Sequence, residues 1–151
     1  MRRTLIPLAF TLLALPGLAA AEAPDACSLI TMDEVNNFAA KSASKTRARA
    51  IDRGSECAYM DGRQNAILTV SVKESKAPKA ELDHEADNLQ KIYRTTVKAA
   101  EVGESGFFLS ANKQLHFRKG KLLVLVFFSR PANANPVDTL AAAKIVESRL
   151  K

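Results

Sequence analysis

Apolar residues recur along this chain with two different periods. Met32, Val35, Phe38 and Ala39 follow one another at helical spacing, which predicts a first helix over residues 32–40. Thr31-Met32-Asp33-Glu34 opens it as a capping box, in which the threonine hydroxyl and the glutamate carboxylate each satisfy an orphan backbone N–H. Ile30 and Val35 stand where a hydrophobic staple forms across such a cap. Leu82, Ala86, Leu89 and Tyr93 give the cleanest amphipathic helix, opened by Pro78, with acidic residues gathered in its early turns. A last helix is predicted after Asn135 as its cap and Pro136 as its first residue, with Val137, Leu140, Ala143, Val146 and Leu150 on one side.

The second period is two. Leu68, Val70 and Val72 alternate with Ile67, Thr69 and Ser71, and Asp61-Gly62 separates this run from Glu56-Cys57-Ala58-Tyr59-Met60, so the pair reads as a hairpin. Thr46 to Ile51 alternates weakly and carries the charge that keeps an edge strand from aggregating. Further strands are predicted at 97–102, 107–109, 114–118 and 121–129, separated by turns at 103–106, 111–113 and 119–120. Leu122 to Phe128 is apolar at every position, the mark of a central strand. The element order is α-β-β-α-β-β-β-α with short connections. An α+β two-layer sandwich is therefore expected, with three helices on a curved antiparallel sheet of about five strands.

The beginning of the chain has a different character. Met1-Arg2-Arg3 is basic, Leu5 to Leu18 is apolar apart from one threonine, and Ala19-Ala20-Ala21 offers a small-residue cleavage site. This is the layout of a secretory signal over residues 1–21, too short in its apolar part to span a bilayer. Residues 22–151 then form one domain that is periplasmic or secreted. Pro24-Asp25-Ala26 before Cys27 lacks the branched apolar residue of a lipobox. Cys27 and Cys57 are the only cysteines, and an even count in an oxidising compartment predicts one disulfide. No C-x-x-C spacing points to redox catalysis.

Charge and motifs narrow the chemistry. Two of the 22 Lys and Arg residues lie in the leader, so the exported part carries 20 against 16 Asp and Glu, a net +4 that identifies no partner by itself. The positive charges collect in two patches, Lys41, Lys45, Arg47, Arg49 and Arg53 in one and Arg118, Lys119 and Lys121 in the other. If the fold joins them, they form a site for an anionic membrane surface, an envelope polymer or an acidic protein. Aromatic residues are not interleaved with these charges, so nucleic acid is not an expected partner. His84 falls on the acidic solvent face of its helix, and His116 alternates outward between Leu115 and Phe117; neither has the companions a metal site requires. Gly103-Glu104-Ser105-Gly106 lacks the second glycine and the strand-turn-helix setting of a nucleophile elbow. No cofactor motif and no catalytic residues emerge.

Several landmarks together resemble a known group. Cys27-Ser28-Leu29-Ile30-Thr31-Met32-Asp33-Glu34-Val35, the second cysteine before an aromatic strand in Cys57-Ala58-Tyr59, and Val102-Gly103-Glu104-Ser105-Gly106-Phe107 are similar to small exported bacterial domains. The group includes the extracellular sensor domain of a bacterial serine/threonine kinase and related envelope lipoproteins. Here there is one cysteine pair where the kinase sensor has more, and no lipobox. The resemblance implies a binding or sensing module without catalysis, its ligand a small molecule or an envelope component. A protein-interaction module, such as an inhibitor or accessory subunit, is the alternative, and a hydrolase the third. A binding module requires a concave pocket between sheet and helices, and an interaction module an apolar patch or an unpaired edge strand. An enzyme requires titratable groups clustered in a cleft.

Overall fold

A computed structural model describes residues 23–38, 42–129 and 136–151. The stretch expected to be a secretory leader, Lys41 and the expected Asn135 cap lie outside the described residues. A 3-10 turn at Ala26–Ser28 leads to helix α1 (Met32–Phe38), and three strands follow, β1 (Ala43–Ile51), β2 (Gly54–Asp61) and β3 (Ala66–Glu74). Helix α2 (Pro78–Tyr93) precedes β4 (Lys98–Ala99), β5 (Ser105–Leu109), β6 (Gln114–Lys119) and β7 (Leu122–Phe128), and α3 (Pro136–Arg149) closes the order. The class is α+β, as the two periods predict.

The strands form one antiparallel sheet in the order β1-β2-β3-β7-β6-β5-β4. Its seven strands exceed the expected five or so because the basic segment is a full strand and the stretch after α2 contributes a short edge. The strand predicted at 97–102 shrinks to Lys98–Ala99: Ala100 N–H donates to the Gly106 carbonyl, Val102 N–H donates back to Ala100, and Gly103 then turns at φ +64°. That position needs a glycine, since a Cβ there would sit 2.3 Å from the Arg118 carbonyl oxygen. The all-apolar run is indeed the middle strand, with three strands on either side.

Coverage of the sheet departs from a two-layer sandwich. Val124, Val126 and Phe128 of β7 join Leu115, Phe117, Val70, Val72, Tyr59, Val35 of α1 and Ala142, Ala143 and Val146 of α3 in the main core. Leu123 of β7, and Phe107 and Leu109 of β5 on either side of the main-core Phe108, point to the opposite face and pack against Leu82 and Leu89 of α2. Helices therefore cover both faces, α1 and α3 one and α2 the other, because β5 and β7 carry apolar side chains on both sides. The α2 stripe ends at Leu89, and Tyr93 and Val137 are 43% and 71% exposed rather than packed.

The N-terminal segment is fixed from several directions. The capping box forms as predicted: Thr31 N–H donates to Glu34 Oε2 at 2.8 Å and Glu34 N–H to Thr31 Oγ1 at 3.3 Å. Cys27 is bonded to Cys57 of β2, with Cα atoms 5.0 Å apart. Ser55 accepts from Ala26 N–H and donates to the Pro24 carbonyl, while the buried Tyr59 hydroxyl donates to the Ile30 carbonyl. Burial pushes that phenol up to about 12. The disulfide thus pins the first turn and helix to the first hairpin.

Candidate functional site

Alternation along the strands decides what lies on the α2 face. Arg49, Glu56, Ser71, Leu125, His116 and Phe107 are successive cross-strand neighbours, so they form one row from edge strand β1 to β5. α2 covers the β5 to β7 part of this face, and where it stops it leaves a concave groove of about 280 Å³. Ser71, Lys73, His116 and Leu125 line it from the sheet, and Glu81, His84 and Glu85 from the helix.

The polar groups of the groove have definite partners. Glu81 accepts from Ser75 Oγ at 2.6 Å and pairs with Lys73 Nζ at 3.3 Å, fastening the first turn of α2 to β3. The Ser75 hydrogen bond, followed by the Lys73 contact, holds the Glu81 carboxyl below the usual range. His116 is 8% exposed, its ring stacked on Phe107 at a centroid distance of 4.7 Å and its Nε2 3.2 Å from Gln114 Oε1. Burial lowers its pKa to about 4, so the imidazole is neutral at physiological pH. His84 stands exposed on the helix rim. The groove therefore offers an apolar floor, a neutral imidazole and one ion pair to an incoming molecule.

The burial of His116 corrects the expectation that it faces solvent. Its strand does alternate as predicted, but the outward face is also covered, by α2. The signal for this lies in Phe107, Leu109 and Leu123: apolar residues on the supposed outer face of β5 and β7 require a second cover.

The basic residues disperse. Lys45, Arg47 and Arg49 run along one face of β1, and Arg49 pairs with Glu56 at 3.1 Å. Arg53 in the β1–β2 turn pairs with Asp52 at 3.4 Å. In the other patch, Arg118 is ion-paired to Glu104 and donates Nε–H to Ser105 Oγ at 3.0 Å, so the serine of the glycine turn is held in a structural contact. Lys119 Nζ donates to the Glu147 and Leu150 carbonyls, both at 2.8 Å, which stops the end of α3. Arg53 and Lys121 are brought to the same end of the sheet through their backbones, since the adjacent Glu74 N–H and Ser75 N–H donate to their carbonyls at 2.8 Å each. Two of the three residues of the second patch, Arg118 and Lys119, are thus engaged within the fold rather than held free for an anion.

Among the described residues no three His, Cys, Asp or Glu side chains converge to hold a metal, and no helix is long and apolar enough to cross a membrane. Compared with models of known protein families and with curated proteins, the chain matches none.

Proposed function

We propose that this chain is an exported, non-enzymatic binding or sensing domain of the periplasm or cell envelope, and that its ligand lodges in the groove between α2 and the sheet. The observation that carries this reading is the groove itself: Leu125 beside Ser71, Lys73 and His116, faced by Glu81 and His84. Such a site is concave, partly apolar and furnished with a few polar groups, as small-molecule sites are. The sequence likeness to exported sensor domains agrees with it. So does the oxidised cysteine pair, which suits an exported protein.

The chemistry favours a small ligand with an apolar body and a hydrogen-bonding end, since His116 presents a neutral ring rather than a cation. Mass spectrometry of molecules retained by the oxidised protein from envelope extracts tests the reading. A retained small molecule that raises the melting temperature, and is lost in Ser71→Trp where the indole fills the groove, is the expected result. Bare monomer with no stabilisation by any extract rejects it.

A further inference from the structure

We infer that the outer edge of β1 is a docking site for an extended, acidic segment of a partner protein, which adds to the sheet as a further strand. This inference is independent of the groove. β1 is nine residues long and pairs, among the described residues, with β2 alone. Its residues 44–50 are all exposed, so among the described residues no helix shelters either face of the strand there. The opposite edge, β4, is two residues long and offers little to pair with.

One end of the β1 edge is already closed from within. Asn36 of α1 donates its side-chain amide to the Ala43 carbonyl at 3.0 Å and accepts from Ala43 N–H at 2.8 Å, as a neighbouring strand would. No such cover continues over residues 44–50 among the described residues. An edge with free N–H and C=O groups is a template for another chain, and its side chains choose which chain.

That choice is set by Lys45, Arg47 and Arg49, which alternate on one face opposite Met60, Ala58 and Glu56. Arg49 is partly neutralised by Glu56, whereas Lys45 and Arg47 have no ion pair among the described residues. Their spacing of two residues suits carboxylates at alternate positions of an incoming strand. Thr46, Ala48 and Ala50, on the other face, are small and leave room for apolar side chains between those carboxylates. A second copy is a poor occupant: antiparallel pairing about Arg47 sets Arg47 against Arg47 and Lys45 against Arg49. A membrane surface would use the charge but not the open backbone edge, and Arg118 and Lys119, bound within the fold, do not extend the charged surface toward it.

The test uses the oxidised, 15N-labelled chain and two blocked peptides of one composition, TEVEVEVT with alternating acids and VVTEEETV with contiguous ones. The alternating peptide is expected to shift resonances of residues 44–50 and to slow amide exchange at every second β1 position. Its binding should weaken as salt rises and fall at least about tenfold in K45Q/R47Q/R49Q, whose fold is checked by near-ultraviolet circular dichroism. It should persist in Ser71→Trp, which separates this edge from the groove. Equal binding of both peptides, binding without alternating protection, or no binding of either overturns the inference. So does retention on vesicles of phosphatidylglycerol that competes with the alternating peptide, which would assign the charge to a membrane.

Discussion

Arg149, at the end of α3, places its guanidinium against both carboxylate oxygens of Glu34, at 2.7 and 2.6 Å, while its Nη1 also donates to the Leu29 carbonyl at 3.0 Å. Glu34 is also the acidic member of the capping box. One carboxylate thus starts the first helix and receives the last. The Arg149 hydrogen bonds, ahead of the Thr31 contacts, lower its pKa to about 2. A carboxyl depressed on folding stabilises the native state in full above its ordinary pKa of 4.5, and that contribution is lost as pH falls toward 2. Acidification from pH 5 to 2 should therefore lower the melting temperature, with a shallower decline in Glu34→Gln. Because the pair is partly solvated, Arg149→Ala should lower the midpoint of denaturant titration only modestly at neutral pH.

His116 gives a second, separate acid response. Its pKa falls from 6.5 to about 4 on burial, so the unfolded chain takes up a proton before the native one does. Stability is full above pH 6.5 and declines as pH falls toward 4, by about 3 kcal/mol over the window. His116→Phe, which keeps a flat ring on Phe107, should remove this decline while leaving the Glu34 response at lower pH. An unchanged profile between pH 6.5 and 4 would assign the titration elsewhere.

Joining Cys27 to Cys57 closes a loop with a sequence separation of 30. On the chain-entropy model this restricts the unfolded state by about 3 to 4 kcal/mol. The double variant Cys27→Ser, Cys57→Ser should lose about that much in urea titration, with an unchanged sheet signal in circular dichroism. Native, freshly isolated protein should resist alkylation at both positions. Free thiols in that material would remove the tie between the first helix and β2.

Tyr59 is 1% exposed and its hydroxyl donates to the Ile30 carbonyl just ahead of the Thr31 cap. Tyr59→Phe leaves that carbonyl without its donor and should cost about 1–3 kcal/mol. In the wild-type chain, folding raises this phenol to about 12, so its contribution is complete below pH 10 and disappears as pH climbs through 12. Absorbance titration of phenolate should show one of the two tyrosines ionising late, and Tyr59→Phe should abolish that step.

Local chemistry makes much of the fold legible in the sequence. The capping box, the Asp61 turn, Pro78 at the head of α2 and Leu122–Phe128 as the central strand all rest on residues within a few positions of each other. Asp61 accepts from Arg63 N–H and Asn65 N–H at 2.8 and 2.9 Å, so the turn is held by its own side chain. The groove is not legible in this way, since it exists only where α2 crosses the row from Ser71 to His116. The basic patches are visible as charge but not as roles: Lys119 serves a helix end 28 and 31 residues away, and Arg118 a turn 13 and 14 residues before it.

Periodicity, caps and turns are set by neighbours along the chain, and so the kind of each helix, the hairpins and the middle of the sheet follow from the order of residues alone. Which face each helix covers was settled by long-range packing, and with it the burial of His116, the groove beside it and the exposure of the β1 edge. Coverage depends on contacts between residues far apart in the chain, such as Arg149 and Glu34 across 115 positions, and no local pattern states on which side of a sheet a helix will land.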